Sequence, residues 1–407
     1  MAVLRDGTPV YVAGTLPGEI VRVRPTAKRG EGWAAEIDTI ATPSAERIAA
    51  PCPHFGACGG CAVQHWQPDA YGAWKSALLE AALRRAGYAP ELAPLVTTPP
   101  HSRRRIDLAM RRHAGAVLLG LHAPRGGEVV DLQDCTVLHP DLLALLPPLR
   151  ALLRGLAAFK REGSAVFNLL DSGADLLLRT DAAPNATDRT RLAAFAAQHG
   201  MPRITIEQTG QLPETAAMLR PALTRMGGIN VVPPPGAFLQ ASAPAEAAIV
   251  DAVLAGLPDK ISTRARVAEL YAGSGTLSFA LSAHVRVTAY EGDARAHAAL
   301  QAAANAAQIT GRMEPVLRDL TRQPLSPKEL SPFAAVVLDP PYAGAAAQMA
   351  PLAASGVARI IYVSCNPAAL ARDATVLKGA GYKLVSAVPI DQFLWSARLE
   401  AVVVFSR

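Results

Sequence analysis

The sequence of 407 residues is poor in several features, and each shortage excludes a class of protein. Five cysteines are too few to hold a chain of this length together with disulfides, so we expect a reducing compartment. No charged-then-apolar leader pattern is present at the N-terminus. The most apolar stretch, residues 138–159, is interrupted by prolines and arginines, whereas a membrane span needs about 20 uninterrupted apolar residues. We expect a soluble, cytoplasmic, monomeric protein without membrane contact.

Aromatic residues make up only 5% of the chain and charged residues 18%, yet half of the chain is apolar, which is typical of folded domains. The length predicts two or three domains. The formal net charge of +6 permits a polyanionic partner such as RNA. Positive charge is densest over 103–105, followed by Arg111 and Arg112. This stretch would either contact phosphate groups or form a solvated basic face.

Short strands dominate the first 42 residues. The pattern predicts strands over 8–13, 19–24 and 32–40, which suit either a small barrel of the oligonucleotide-binding kind or another small all-β unit. A cysteine-rich loop over 51–68 is followed by a predicted helix over 68–87. Residues 103–228 mix strands and helices, which predicts an α+β unit, and three prolines at 233–235 indicate a connection to a last unit.

Strand and helix patterns alternate regularly after residue 240. We predict helices over 243–255, 276–283, 294–307, 344–354 and 367–379, and strands over 267–271, 285–290, 334–338, 359–364, 383–390 and 398–406. This alternation predicts a doubly wound parallel sheet. No helix separates the last two strands, so we expect them to pair antiparallel, with 398–406 inserted at the sheet edge. An antiparallel last strand resembles the Rossmann-like class I methyltransferase fold rather than a dehydrogenase.

A glycine-rich turn follows the first of these strands, in Glu269-Leu-Tyr-Ala-Gly-Ser-Gly-Thr. Gly273 and Gly275 allow the backbone to approach a ligand, and Glu291 ends the next strand, where a carboxylate can bind ribose hydroxyls. The third glycine of the dinucleotide fingerprint is absent, since that position is Ser278. A nucleoside-sized cofactor is therefore favoured over NAD, although a plain tight turn would also produce this pattern.

Two further motifs follow neighbouring strands of the predicted sheet. Asp339-Pro-Pro-Tyr342 fixes the backbone and presents carbonyl oxygens at the edge where ligands bind; it also resembles the loop of adenine amino-group methyltransferases. Cys365 precedes the helix over 367–379, whose N-terminal dipole should lower the thiol pKa and favour a nucleophilic thiolate. Carbon 5 of uracil needs such a thiol at carbon 6, whereas an amine does not. Glu400 is the candidate base.

Four of the five cysteines form a separate constellation. Cys52, Cys58 and Cys61 lie within ten residues, and Cys135 is the distant fourth. Four thiolates suit zinc or an iron–sulfur cluster. The irregular spacing and the glycine pair between Cys58 and Cys61 favour a cluster, while His54 and His65 keep zinc as an alternative.

Together these motifs resemble the bacterial RNA uracil-5-methyltransferases, specifically the iron–sulfur branch that modifies 23S ribosomal RNA. The resemblance extends from the Gly14-Thr-Leu-Pro-Gly-Glu turn of a TRAM-like start to Phe238-Leu-Gln240, Asp339-Pro-Pro, Ser364-Cys-Asn-Pro and Glu400. It implies Cys365 as nucleophile, Glu400 as general base and a structural [4Fe–4S] cluster on the four cysteines. It also implies S-adenosylmethionine as cofactor and six residues lining the cofactor and uracil sites: Gln240, Tyr271, Thr276, Glu291, Asp319 and Asp339.

The chain departs from the family pattern at three positions. Tyr342 replaces an arginine, Ser242 an asparagine and Arg398 a histidine. The TRAM-like start also looks short, as if an initial strand were missing. We predict a truncated TRAM-like barrel over 1–46, a central iron–sulfur domain over 47–230 and a methyltransferase domain over 231–407. A transfer-RNA uracil methyltransferase, an adenine N6-methyltransferase and a non-catalytic RNA-binding homologue are the alternatives.

Overall fold

The computed structural model describes residues 2–124 and 126–407. Residues 2–42 contain a four-stranded sheet of order β1-β2-β4-β3, in which β2 and β4 are parallel and the other pairs antiparallel. The three strands predicted here are confirmed, and a short first strand precedes them. Among the described residues β1 and β3 are the two edges of this sheet. The strands are β1 (Ala2–Val3), β2 (Pro9–Val12), β3 (Ile20–Arg29) and β4 (Gly32–Thr42).

A long helix, α1 (Pro68–Arg85), follows the cysteine loop, as predicted. Gln67 caps it, since its side chain accepts a hydrogen bond from the amide of Ala70 at 3.1 Å, and Pro68 supplies the fixed φ suited to a first helical residue. A two-residue strand, β5 (Val96–Thr97), comes next. No described helix is both long and apolar enough to cross a bilayer.

The central α+β unit is a seven-stranded sheet of order β12-β11-β10-β9-β6-β7-β8. Its helices pack on the sheet through buried leucines, including Leu146, Leu149, Leu153 and Leu192. The strands are β6 (Arg105–His113), β7 (Ala116–His122), β8 (Val129–Asp131), β9 (Glu162–Leu170), β10 (Gly173–Thr180), β11 (Arg203–Gln208) and β12 (Glu214–Met218). The helices are α2 (Pro140–Leu143), α3 (Leu146–Gly155) and α4 (Ala186–Gln198). A hairpin of β13 (Thr224–Met226) and β14 (Ile229–Val231) follows in sequence, between the central sheet and the last unit.

The last unit is a predominantly parallel sheet with helices on both faces, confirming the predicted Rossmann-like architecture. Its strands are β15 (Arg266–Leu270), β16 (Arg286–Glu291), β17 (Met313–Leu317), β18 (Ala335–Leu338), β19 (Arg359–Ser364), β20 (Lys383–Asp391) and β21 (Glu400–Ser406). Its helices are α5 (Ala243–Ala255), α6 (Thr276–Ser282), α7 (Ala294–Ala306), α8 (Pro327–Leu330), α9 (Ala346–Ser355) and α10 (Pro367–Gly379). Strand β17 and helix α8 were not predicted.

The position of the last strand differs from the prediction. The antiparallel pairing of β20 with β21 is confirmed, but β21 lies between β19 and β20 rather than at the sheet edge. Inserted there, it forms an antiparallel ladder with both neighbours, which run in the same direction as each other. The apolar run of β21 is accordingly buried on both faces.

Segment 68–97 contributes to the C-terminal sheet although we assigned it to the central domain. Leu79 and Leu83 of α1 are fully buried in the core of that sheet, and α1 packs against α10. Strand β5 pairs parallel with β20 and forms the edge of the eight-stranded sheet. The region that follows the cysteine loop is thus attached to the last unit.

Candidate active site

The strands of the C-terminal sheet bring the predicted catalytic residues to one edge. Leu270 pairs with Leu338, and Ser364 pairs with Ala401. The carboxyl ends of β15, β18 and β19 therefore meet the amino end of antiparallel β21, at the edge where ligands bind in such sheets. The side chains adjoining these pairs at that edge are Tyr271, Asp339, Cys365 and Glu400.

A cavity of about 500 Å³ opens at this edge. It collects six of the eight predicted catalytic and binding residues: Gln240, Tyr271, Thr276, Asp339, Cys365 and Glu400. It is also lined by residues that were not among the predicted catalytic and binding residues, namely Arg103, Arg105, Phe238, Glu269, Gln392 and Phe393. Gln392 could have been predicted, because a polar residue directly after β20 reaches the same edge.

A chain of hydrogen bonds crosses the floor of the cavity. Gln392 Nε2 donates to Glu400 Oε2 at 2.5 Å and to Gln240 Oε1 at 2.9 Å. Gln240 Nε2 in turn donates to Asp339 Oδ2 at 3.2 Å. The Gln392 side-chain oxygen Oε1 accepts a hydrogen bond from the backbone amide of Ala241 at 2.9 Å. Two glutamines thus fix the orientation of the two buried carboxyl groups.

Burial raises the pKa values of the two carboxyl groups in this chain, Asp339 and Glu400, and that of the Cys365 thiol. The pKa of Asp339 is raised to about 7, and that of Glu400 is raised well above its usual value, with the Asp339 charge adding to the effect. Burial, followed by the neighbouring carboxylates of Glu400 and Asp339, raises the pKa of Cys365 to about 12. The expectation that the helix dipole lowers the thiol pKa is therefore wrong for the free protein.

One oxygen of Glu400 has no partner. Glu400 is only 3% exposed, and its Oε1 atom is buried without a hydrogen bond among the described residues. A buried polar atom without a partner costs about 1–3 kcal/mol, so such atoms are rare unless a ligand completes them. Because Glu400 lines the cavity, Oε1 is available to a molecule that enters it.

The glycine turn lies on another wall of the same cavity. Gly275 has a φ of 109°, and a Cβ there would lie 2.5 Å from Leu300, so only glycine fits. Glu291 closes the turn, since its Oε2 accepts the amide of Gly273 at 2.6 Å. Asp319 lies beside Gly292, its Cα 3.3 Å from where a Cβ of that glycine would be. Glu291 and Asp319 thus border the turn but do not line the cavity itself.

The predicted basic stretch divides into two groups. Arg104 forms an ion pair with Glu246 at 2.5 Å. Arg112 donates to the carbonyls of Leu153, in the last turn of α3, and Phe159, in the loop after it, so both arginines are structural. Arg103 and Arg105 instead line the catalytic cavity. Their Nε atoms donate to the backbone carbonyls of Arg105 and Ala237, and the Arg105 guanidinium also lies over the Phe238 ring.

The four cysteines of the predicted cluster line a second cavity, of about 510 Å³. Cys135 is buried and the other three are half-buried. Glycine is required beside them, since a Cβ at Gly59 would lie 2.6 Å from the His122 carbonyl oxygen. Burial raises the pKa of Cys61 to about 11, with the other three thiols adding to the rise.

No group of three or more potential ligands has metal-binding geometry in residues 2–124 and 126–407. His54 is engaged, because its Nε2 accepts the amide of Gln133 at 3.1 Å. His65 is buried, packs against Phe55 and has no hydrogen-bond partner on either nitrogen in the described chain. The two cavities are adjacent, since Arg103, Arg105 and Arg398 line both.

Ser242, the second departure from the family pattern, has a structural explanation. It is buried and caps α5, its Oγ accepting the amide of Ala245 at 3.3 Å. Asparagine and serine are both effective at such a position. This substitution therefore preserves the helix start beside Gln240.

Comparison with known proteins identifies two family models. Residues 317–407 match the model described as tRNA (uracil-5-)-methyltransferase, and residues 244–358 match conserved hypothetical protein 95. An uncharacterized RNA methyltransferase of Brucella suis is 39% identical over 407 residues, which covers 100% of this chain and 94% of the relative. The 23S rRNA (uracil(1939)-C(5))-methyltransferase RlmD of Pectobacterium atrosepticum is 31% identical, covering 98% of this chain and 89% of that protein.

A solved structure has the same fold along nearly the whole chain. It is the tRNA (uracil-54, C5)-methyltransferase of Pyrococcus abyssi in complex with S-adenosyl-L-homocysteine, with a TM-score of 0.74 and 20% identity, covering 97% of this chain and 94% of that one. Three observations indicate the same family: relatives more than 30% identical along nearly the whole chain, the match to the uracil-5-methyltransferase model, and the cavity that contains Cys365. The chain belongs to the RNA uracil-5-methyltransferase family of S-adenosylmethionine-dependent enzymes.

Proposed function

We propose that this enzyme methylates carbon 5 of one uridine in 23S ribosomal RNA through a covalent adduct on Cys365. The observation that supports this mechanism most directly is the pairing of a thiol with a buried carboxyl group, one of whose oxygens lacks a partner, in a single cavity. A thiol is needed to activate uracil, and a base is needed to complete the reaction.

The reaction begins at the Cys365 sulfur. The thiol gives its proton to the Asp339 carboxylate, since Glu400 must stay ionised for the later step. The sulfur bonds to carbon 6 of uracil, and the electrons of the carbon 5–carbon 6 double bond move to form an enolate. S-adenosylmethionine supplies the methyl group that carbon 5 then takes up. Glu400 Oε1 removes the remaining proton from carbon 5, the double bond reforms and the thiolate leaves. Because burial raises the pKa of Glu400, its carboxylate holds an abstracted proton well.

The other cavity residues position the reactants. Gln240 and Asp339 offer an amide and a carboxyl group to the polar edge of uracil. Glu291 and Asp319 border the glycine turn, where they suit the ribose and the cationic part of S-adenosylmethionine, next to Tyr271 and Thr276. Because the pKa of Cys365 is raised, the thiol is protonated in the free protein, and its proton must leave as the sulfur attacks carbon 6.

The choice of ribosomal RNA is based on the relative from Pectobacterium, which acts on 23S rRNA. We assign the open N-terminal sheet to a TRAM-like RNA-binding unit over 1–46. A central unit over 47–230 and a methyltransferase domain over 231–407 follow, except that segment 68–97 packs with the methyltransferase domain. Arg103 and Arg105 direct positive charge toward the cavity, as an RNA substrate requires. The adenine N6 alternative leaves both Cys365 and Glu400 without a role.

Incubating the purified protein with radiolabelled S-adenosylmethionine and a 23S rRNA fragment is expected to yield labelled 5-methyluridine after digestion to nucleosides. Only one uridine should be labelled, since the activity for which the relative from Pectobacterium is named concerns a single uracil position. The same fragment with that uridine replaced by cytidine is the control and should remain unlabelled. Label in N6-methyladenosine, or label only in a transfer-RNA transcript, would contradict the proposed substrate.

We further propose that Cys52, Cys58, Cys61 and Cys135 hold a [4Fe–4S] cluster. Four thiols share one cavity, and the glycine pair leaves room beside them. Burial raises the pKa values of Cys58, Cys61 and Cys135, so these three thiols stay protonated unless a cation binds. The cluster would stabilise the cysteine loop, whose amides at Ala62 and Val63 donate to the Trp395 carbonyl near the active site. No catalytic step passes through it.

Anaerobically purified protein is expected to be brown and to contain about four irons per chain. Cys58→Ser should lose the iron and the colour, because the site then has only three thiolate ligands. Cys365→Ser is the matched control, since it removes a thiol outside this cavity and should retain the iron. Stoichiometric zinc without iron in such a preparation would exclude the cluster.

A further inference from the structure

Two of the three departures from the family pattern contact each other. The Arg398 guanidinium lies over the Tyr342 ring, 5.2 Å from its centroid, which is cation–π geometry. Both side chains line the catalytic cavity together with Cys365. Within residues 2–124 and 126–407, Arg398 forms no ion pair with a carboxylate. The two residues therefore form one unit with an uncompensated positive charge.

This aromatic–guanidinium pair is held by its backbone. Pro340 and Pro341 restrict the chain before Tyr342, and Asn366 Nδ2 donates to the Tyr342 carbonyl at 2.9 Å. The Arg398 carbonyl accepts a hydrogen bond from the buried Lys75 ammonium group. Because the backbone is fixed at both residues, a ligand that binds the pair causes little further loss of backbone conformational entropy.

The pair lies at the rim of the cavity. The Tyr342 side chain is 55% exposed, whereas Glu400 is 3% exposed. A target uracil must pass the rim to place carbon 6 on the sulfur and carbon 5 near Glu400. The open ring face is therefore presented to the part of the RNA that remains outside the cavity. Flat aromatic faces stack on unpaired bases, and guanidinium groups bind phosphate.

We propose that Tyr342 and Arg398 form a substrate-selection unit, in which Tyr342 stacks on the unpaired base next to the target uridine and Arg398 binds the phosphate between those two nucleotides. This inference rests on the proposed function, because it assumes an RNA uridine in the cavity. It deepens that function by requiring a single-stranded target with a free neighbouring base. A base inside a duplex has no open face for the ring.

The test uses the full-length protein with S-adenosyl-L-homocysteine and single-stranded RNA fragments that contain the target uridine. In two probes, 2-aminopurine replaces the base on the 5′ or the 3′ side of that uridine. Stacking on Tyr342 should quench the fluorescence of one of the two probes. Tyr342→Leu should abolish that quenching and weaken RNA binding by about fivefold to 150-fold, the range for one base–aromatic stack.

Matched variants separate stacking from a structural role. Tyr342→Phe keeps the ring and should retain the quenching, whereas Arg398→Gln should weaken binding and flatten its salt dependence by about one unit of slope or less. Calorimetric binding of S-adenosyl-L-homocysteine verifies that each variant is folded. The expected kinetic signature of Tyr342→Leu is a raised KM for RNA with kcat changed far less.

If wild type methylates the fragment but neither probe is quenched, or if Tyr342→Leu binds RNA within twofold of wild type, the inference is wrong. If wild type methylates no uridine, the proposed function fails instead.

Discussion

Replacing Cys365 with alanine is expected to abolish methylation of uracil at its first step. Without the sulfur no bond forms at carbon 6, so carbon 5 never becomes nucleophilic enough to accept a methyl group. No covalent protein–RNA species should be detected by denaturing electrophoresis. The fold should persist, because Cys365 is half-buried and forms no hydrogen bond on which the sheet depends. Binding of S-adenosyl-L-homocysteine by calorimetry provides the control for an intact cofactor site.

Replacing Glu400 with glutamine should arrest the same reaction one step later. The adduct can form and carbon 5 can be methylated, but no group removes the proton, so the sulfur cannot leave. A general base contributes about a hundred- to ten-thousandfold, so turnover should fall by that factor. A methylated covalent protein–RNA complex should accumulate and survive denaturation. Methylation of uracil by Cys365→Ala, or the absence of any adduct with Glu400→Gln, would overturn the assigned roles.

The two variants also separate the mechanism from its alternatives. An adenine methyltransferase would form no adduct with either variant, since the amine attacks the methyl group directly. A non-catalytic RNA-binding protein would transfer no methyl group in the wild type. Only the proposed pairing of nucleophile and base predicts opposite adduct behaviour for the two substitutions.

The sequence predicted that these residues meet at one edge of the sheet, because residues that follow parallel strands lie at the same edge. Polar residues after apolar strands, such as Asp339 and Cys365, reach the carboxyl edge of a doubly wound sheet wherever the strands lie within it. The position of β21 was less predictable. Alternation of strands and helices shows that the last two strands pair, but whether β21 lies outside or between its neighbours depends on which unpaired strand edge is available.

The ionisation of the site could not be predicted from local sequence. The position of Cys365 before α10 suggested a lowered thiol pKa, because only its own helix is visible in the sequence. Burial, Glu400 and Asp339 act in the opposite direction, and these contributions come from three different strands. The same limitation concealed the pairing of Tyr342 with Arg398, whose contact exists only once β18 and β21 are neighbours of β19.

Lys75 is a further residue whose importance follows only from the fold. On a surface helix a lysine is expected to reach solvent, yet Lys75 is fully buried. Its ammonium group lies 2.6 Å from Asp391 Oδ1, although 316 positions separate the two residues. It also donates to the carbonyls of Phe393, at 3.2 Å, and Arg398. Helix α1 thereby holds the segment that connects β20 to β21 and presents Gln392 and Arg398 to the cavity.

Lys75→Met is expected to lower the free energy of unfolding by about 3–5 kcal/mol, because the Asp391 carboxylate is then buried without its countercharge. Urea unfolding measures this loss. Lys383→Met is the matched control, since Lys383 is exposed at the start of β20, the strand that ends with Asp391. This substitution should change the free energy of unfolding by about 0.5 kcal/mol or less. Equal stabilities of the two variants would show that the buried ion pair does not support the fold.

The double variant Lys75→Met, Asp391→Asn separates the positioning of the connecting segment from the burial of charge. Removing both charges eliminates the uncompensated carboxylate, so much of the lost stability should return. The carbonyls of Phe393 and Arg398 still lack their donor, however, and the segment from 392 to 399 should remain loosened. Amide hydrogen exchange in that segment should therefore stay faster than in wild type. Methylation should show a reduced kcat, since Gln392 no longer holds Glu400 in place. A double variant that regains both stability and full kcat would show that Lys75 only balances the charge of Asp391 and does not position the active site.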